Sequence, residues 1–326
     1  MGLINTIQGI FSTPKTQIEE GTERIESAVF KGKTDIKTLK IPSTVTYIGA
    51  EAFSDCTNLE SLEFSTGLPN IKRKTFYNCK SLKNVKISGE IKFIGASAFE
   101  NCSSLEQIEI PSPVMKLDDR TFAGCSKLHS ITLSDSVQYI GRSTFKDCTS
   151  LEEISLPKTL IGLGQTAFCG CEKLKKIVIP ASLTYMGHNP FYNCKNLTVE
   201  SENENFRFEK DFFIDIKKRR VIAYFGKRTS LILPNGTKKT SDFSFKGNST
   251  LEIVILPTTV ERIGKESFYG CKALREVSMY DTVKRIDEGA FEACPSLRKI
   301  YIPIGCLEKF KKLLDEKYWN KLEEIE

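Results

Sequence analysis

Nine cysteines recur at an interval of 23 residues: Cys56, Cys79, Cys102, Cys125, Cys148, Cys171 and Cys194 in one run, then Cys271 and Cys294. Each has a phenylalanine three residues before it (Phe53, Phe76, Phe99, Phe122, Phe145, Phe168, Phe191, Phe268, Phe291) and a leucine three residues after it. The frame also holds at Phe30 with Lys33 and at Phe245 with Asn248, which makes eleven registered units. A unit this short cannot bury its own apolar edge, so its neighbours must stack on it and the stack is the fold.

One unit shows the local logic. Leu151, Ile154 and Leu156 follow L-x-x-I-x-L, and the period-2 spacing of the last two predicts a short strand with one buried face. Pro157 suits a strand end, Leu160 and Leu163 form a second apolar pair, and Ala167, Phe168 and Cys171 close the coil. Glycine recurs after the second pair (Gly49, Gly95, Gly141, Gly164, Gly187, Gly264), where a turn with positive φ is expected, and Asp118 and Asp287 replace it in two coils. Parallel strands lie about 4.8 Å apart, so eleven coils predict a rod or arc on the order of 50 Å long.

The phenylalanine column reads as core. The cysteines, equivalent on every coil, form a continuous column instead of pairs, so they read as reduced, buried, hydrophobe-like thiols and not as disulfides. Zinc would call for short-spaced clusters with histidine, and only Cys169, Cys171 and the distant His188 come near that pattern, so no metal is expected. With two histidines in 326 residues, and no Walker loop, dinucleotide fingerprint, nucleophile elbow or H-E-x-x-H, neither an enzyme nor a cofactor or small-molecule substrate is expected. No apolar run is long enough to cross a bilayer.

Three features of the predicted surface bear on partners. Charges alternate in sign along the stack, Lys37, Glu60, Lys83, Glu106, His129, Glu152, Lys175 in one row and Lys40, Glu63, Lys86, Glu109 in another. Such rows give favourable cross-strand pairs and penalise a one-coil slip, and they also pattern a docking face. An aromatic residue occupies the outward position of every second coil, Tyr47, Phe93, Tyr139 and Tyr185, a candidate stripe of binding anchors. The frame then breaks between Cys194 and Asn248, where Phe212–Ile216 and Val221–Phe225 predict a hairpin with a basic tip, Lys217, Lys218, Arg219 and Arg220. With Lys227, Arg228, Lys238 and Lys239 nearby, that tip is a candidate contact for a protein or, as the alternative, for a polyanion or nucleic acid through residues 217–239. No aromatic stacking platform is evident beside it, which disfavours nucleic acid.

The expected organisation is a capping helix over 1–15, repeats over 16–198, the inserted hairpin segment over 199–242, repeats over 243–303 and a helical cap over 304–326. Leu3, Ile4, Ile7, Ile10 and Phe11 fall on one helical face ahead of Pro14, and Leu307, Phe310, Leu314, Trp319 and Leu322 suggest helical turns at the other end.

The units Ile41 to Leu59 (IPSTVTYIGAEAFSDCTNL) and Leu256 to Leu274 (LPTTVERIGKESFYGCKAL) resemble the BspA-like, Treponema-type leucine-rich repeats, over roughly residues 16–303. The expected fold is therefore a β-rich α/β solenoid: a right-handed leucine-rich-repeat superhelix of about eleven 23-residue coils with parallel strands, short helical or 3-10 turns, and helical caps. The resemblance implies a non-catalytic scaffold for protein-protein interaction or adhesion, often a surface protein that binds host matrix proteins or other cells. It carries over no ligand-contacting residue. The first thirty residues show no secretory signal pattern, and a column of unpaired thiols suits a reducing compartment. Both point to the cytoplasm, with the cell surface or a non-classical route out as the alternative.

Overall fold

The computed structural model describes residues 6–7, 18–64, 67–87 and 91–326. The chain divides into two compact units, Met1–Asn203 and Glu204–Glu326. Both are built from parallel-strand coils, about 13 turns instead of the eleven counted from the sequence. The additional turns come from Thr6–Ile7 and from Arg220–Tyr224, which pair with coil strands although their surroundings lack the phenylalanine and cysteine signature.

In the Met1–Asn203 unit each regular coil contributes two strands. The longer ones, from Thr38–Ile41 to Ser130–Leu133, form a five-stranded parallel sheet, and Glu153 carries its register to Lys176–Ile179 as single bridges. Their burial alternates as the period-2 spacing requires, with Leu39, Ile41, Leu62, Phe64, Ile108 and Ile110 inward. The short strands, from Asn70–Ile71 to Tyr185–Met186, form a six-stranded sheet, and Thr6–Ile7, Arg24–Ile25 and Tyr47–Ile48 form a three-stranded one. Thr6 and Ile7 were expected inside a capping helix but are strand, paired in parallel with Arg24 and Ile25. The rest of that expected helix, residues 1–5 and 8–15, lies outside the described residues.

The segment around each phenylalanine is a third inter-coil ladder, built without strand conformation. The residues two before and two after each phenylalanine have positive φ: Glu51 and Asp55 around Phe53, Lys74 and Asn78 around Phe76, Arg120 and Gly124 around Phe122. Alternate amides then point along the stack. Glu51, Phe53 and Asp55 donate to the carbonyls of Arg73, Thr75 and Tyr77 on the next coil at 3.1, 2.9 and 2.8 Å. Backbone groups that a tight turn would bury unsatisfied are paired in this way.

This ladder holds successive phenylalanine rings in near-parallel stacks, with centroids 5.0–6.1 Å apart from Phe30 to Phe191. In the second unit Phe245, Phe268 and Phe291 stack at 4.6 and 5.5 Å. The cysteine column is unpaired and buried, but it is more than a row of small hydrophobes. Each of the nine thiols donates to the carbonyl of the phenylalanine 26 residues earlier, Cys56 to Phe30 through Cys294 to Phe268, at 3.0–3.3 Å. Burial pushes the thiols of Cys56, Cys194 and Cys271 up to about 12, far above the usual range. The proton that makes the bond is therefore held.

The recurrent glycines serve a different purpose from the one expected. None of Gly49, Gly95, Gly141, Gly164, Gly187 and Gly264 has positive φ, and neither do Asp118 and Asp287. A Cβ on any of these six glycines would instead stand 2.2–2.9 Å from backbone atoms of the preceding coil, Ser27 for Gly49 and Gly141 for Gly164. Glycine is present because the backbones touch.

The Glu204–Glu326 unit opens with an antiparallel meander, Phe206–Glu209, Phe212–Asp215 and Arg220–Tyr224. Its first strand was not foreseen. Lys210 and Asp211 make the two-residue connection with φ of 48° and 71°, the backbone a tight hairpin needs. The third strand pairs in parallel with Lys239–Thr240 and starts a new run of short strands through Arg262–Ile263 and Arg285–Ile286. The longer strands run from Ser230–Ile232 to Lys299–Pro303. The C-terminal segment is helical over Leu307–Leu313 and Glu316–Lys321, but Leu322 belongs to a final strand, Leu322–Ile325, that extends the parallel sheet. Tyr318 sets its ring edge-on against Phe291 at 6.4 Å, closing the aromatic column.

Three outcomes test this packing. Phe145→Ala is expected to cost about 3–5 kcal/mol, read from denaturant midpoints. Gly164→Ala is expected to cost about 1–3 kcal/mol, and Gly162→Ala less, because the latter added methyl meets only the displaceable ring of Tyr139. Iodoacetamide at mildly alkaline pH should leave the nine column cysteines unmodified by mass spectrometry until denaturant is added; native labelling of Cys125 or Cys148 would contradict their burial.

Candidate interaction surface

Parallel register decides which outward side chains become neighbours. On the six-stranded sheet Asn70, Phe93, Lys116, Tyr139, Gly162 and Tyr185 are successive partners, so Phe93, Tyr139 and Tyr185 share one column on alternate strands. Tyr139 and Tyr185 are 44% and 54% exposed, whereas Phe93 is half-buried. The Tyr139 ring leans over Gly162, where the missing side chain leaves room for it. Tyr47 stands apart from the other three. It lies in the three-stranded sheet, half-buried, with the Arg24 guanidinium 3.9 Å and the Lys72 ammonium 5.6 Å from its ring centre. Its face is already used by cations.

The five-stranded sheet presents a different outward face. A depression of about 600 Å³ runs along it, lined by two registered rows. One row is small and polar, Thr38, Ser61, Asn84, Gln107 and Ser130; the other carries Lys40, Glu63, Lys86, Glu109 and Thr132. Only the charged row was singled out in the sequence. The polar row two residues upstream was legible as the other outward position of each strand, but its residue types vary too much to stand out as a column. The alternating charges do meet: Lys86 lies 3.6 Å from Glu63, and Lys175 lies 2.7 Å from Glu152. The hydrogen bond from Lys175 holds the Glu152 carboxyl below the usual carboxylate range. Both pairs are well exposed and add little stability, so their value lies in register and in patterning the face.

The basic tip is smaller than the sequence suggests. Lys217, Lys218 and Arg219 are exposed in the turn, but Arg220 is only 5% exposed. It begins the third meander strand opposite the buried Asp215, with its guanidinium Nη2 3.3 Å from the carboxylate. Arg220 is thus a structural ion pair and is removed from the candidate contact residues, leaving three. The register that buries it follows from strand pairing and has no signature in the run of four basic residues. Lys218 also turns back toward Asp215, at 3.9 Å, while the Nε of Arg219 donates to the Gly236 carbonyl at 2.6 Å.

Among the described residues, no three potential metal ligands are gathered, and no helix is long and apolar enough to cross a membrane. The described surface offers exposed aromatics, a polar recess and a small cationic turn.

The model of the BspA-type leucine-rich-repeat region (six copies) matches residues 8–129, 116–222 and 223–314. The curated proteins contain no match. Among solved structures, a leucine-rich cell surface protein of Faecalibacterium prausnitzii is 26% identical, with 86% of this chain and 77% of that one covered and a TM-score of 0.62. The pneumococcal vaccine antigen PcpA is 24% identical over 88% of this chain and 76% of its own, with a TM-score of 0.58. A leucine-rich-repeat protein of Eubacterium ventriosum, 19% identical over 82% and 67%, has a TM-score of 0.51. The last two establish likeness of fold alone. With the repeat model spanning nearly all of the stacked coils, the chain belongs to the BspA-type leucine-rich-repeat family.

Proposed function

We propose that this protein is a non-catalytic protein-interaction scaffold displayed at a cell surface, and that it binds another protein through the outward faces of the Met1–Asn203 unit. The observation that carries the reading is the polar recess on the five-stranded sheet, where side chains from successive coils line up at strand spacing and alternate in charge. A surface of this kind offers an extended partner many small contacts and no reaction centre. Tyr139 and Tyr185, large and exposed in one column, supply anchors of the type that dominates interface energetics. Adhesion to a host or matrix protein is the form of this reading that the family resemblance implies.

The surface location is supported by the cell surface protein of Faecalibacterium prausnitzii. It replaces the cytoplasmic expectation, whose argument from unpaired thiols has lost its force. Buried thiols with raised pKa values that donate to backbone carbonyls are poor nucleophiles, so an oxidising medium has little purchase on them while the coils stay stacked.

The test is capture of binding proteins by the intact chain and by two variants, Tyr139→Ser with Tyr185→Ser, and Lys86→Glu with Glu109→Lys. At least one variant is expected to weaken capture by about tenfold while the melting temperature stays nearly unchanged. Equal capture by both, or a large loss of stability in the tyrosine variant, would show that these residues serve packing.

A further inference from the structure

The Glu204–Glu326 unit carries a second recess, about 530 Å³, where the meander meets the first of the longer coil strands. One wall is the first hairpin of the meander together with Ile216 and Arg219 of the following turn, the other the segment 232–237. Its floor is apolar, because Phe212, Ile214 and Leu233 are part of the unit's core. Two aliphatic side chains remain in solvent at its border: Ile216, 40% exposed, and Ile232, 61% exposed.

Around this floor the charge is cationic and largely uncompensated. Arg207 is held by Glu209 at 2.7 Å, but Lys210 and Arg219, which also line the recess, have no carboxylate partner within ion-pair distance among the described residues. Elsewhere on the same unit Lys238, Lys265, Lys284 and Arg298 each stand beside a glutamate. Arg219 is also positioned: with its Nε bound to the Gly236 carbonyl, the guanidinium is fixed at the rim instead of sweeping through solvent. The recess therefore pairs an apolar strip with fixed and mobile positive charge.

We propose that this groove docks an extended acidic peptide segment of a partner protein, with carboxylates on Lys210 and Arg219 and an aliphatic or aromatic side chain seated between Ile216 and Ile232. A nucleic acid or other polyanion would use the charge and leave the isoleucine strip uncovered, so the apolar floor favours the peptide. The inference rests on the interaction-scaffold reading and adds a partner chemistry on the other unit.

Fluorescence anisotropy provides the test, with the full chain and a fluorescein-labelled peptide Glu-Leu-Asp-Phe-Glu-Leu-Asp flanked by Gly-Ser. Saturable binding that weakens as salt is added is expected, with a loss of about tenfold in Arg219→Glu and a comparable loss in Ile232→Ser. Lys210→Glu repeats the charge test should Arg219→Glu disturb the turn. Equally tight binding of an oligoglutamate or a single-stranded oligonucleotide of the same charge would reduce the groove to a polyanion patch and overturn the proposal. So would no saturable binding, or no effect of Ile232→Ser. A partner captured by the intact chain and retained by both variants would leave the scaffold reading standing and remove this groove from it.

Discussion

Contact between the backbones of successive coils is the constraint from which the other regularities follow. Each coil is bonded to the next at the longer strand, at the short strand and through the phenylalanine arc, where amides of Glu51, Phe53 and Asp55 reach carbonyls one coil on. With three attachments around its circumference, a coil has little freedom to tilt or slide. The identical residue must then sit on itself in every layer, and whatever suits one layer has to suit its own copy at about strand spacing. Flat rings satisfy this by near-parallel stacking, and glycine satisfies it at Gly164 and Gly187, where any side chain would occupy the neighbour's backbone.

The cysteine column shows how one residue type answers two demands at once. The site is sealed from water, which selects a small apolar side chain, and it faces a phenylalanine carbonyl that benefits from a second donor. Alanine would meet the first demand without the second, and serine would bring a more polar hydroxyl into an apolar layer. A thiol kept protonated by burial meets both. The abundance of cysteine thus reflects packing chemistry, and it carries no information about redox surroundings.

What could be read from the amino-acid order alone follows from how narrowly each position restricts its occupant. The phenylalanine column admits one residue throughout and the cysteine column does so in nine of eleven units, so the stack, its period and its core were legible, and so was the family. The left-handed positions were half legible. Asp55, Asn78, Asn101 and Gly124 belong to the types that favour positive φ, but their counterparts four residues earlier are Glu51, Lys74, Ser97 and Arg120, whose side chains give no such sign. Glycines drew attention to the wrong cause, since close approach and unusual torsion select the same residue. The surface was least legible. Tyr139 and Tyr185 could be placed by counting, yet the burial of Arg220 depended on its pairing with Asp215, and the recess beside Ile232 is made by segments whose proximity no periodicity announces.

The arc ladder also has a direction. Its amides donate toward the next coil, while the thiols donate back toward the preceding one, so a layer differs between its leading and trailing surfaces. Such a layer cannot be inverted, but it can be gained or lost whole, because removing one unit leaves donor facing acceptor across the joint. Length in this architecture is consequently free to drift by unequal exchange between neighbouring copies, whereas a deletion of two or three codons inside a copy would throw that coil's columns out of line with those of its neighbours.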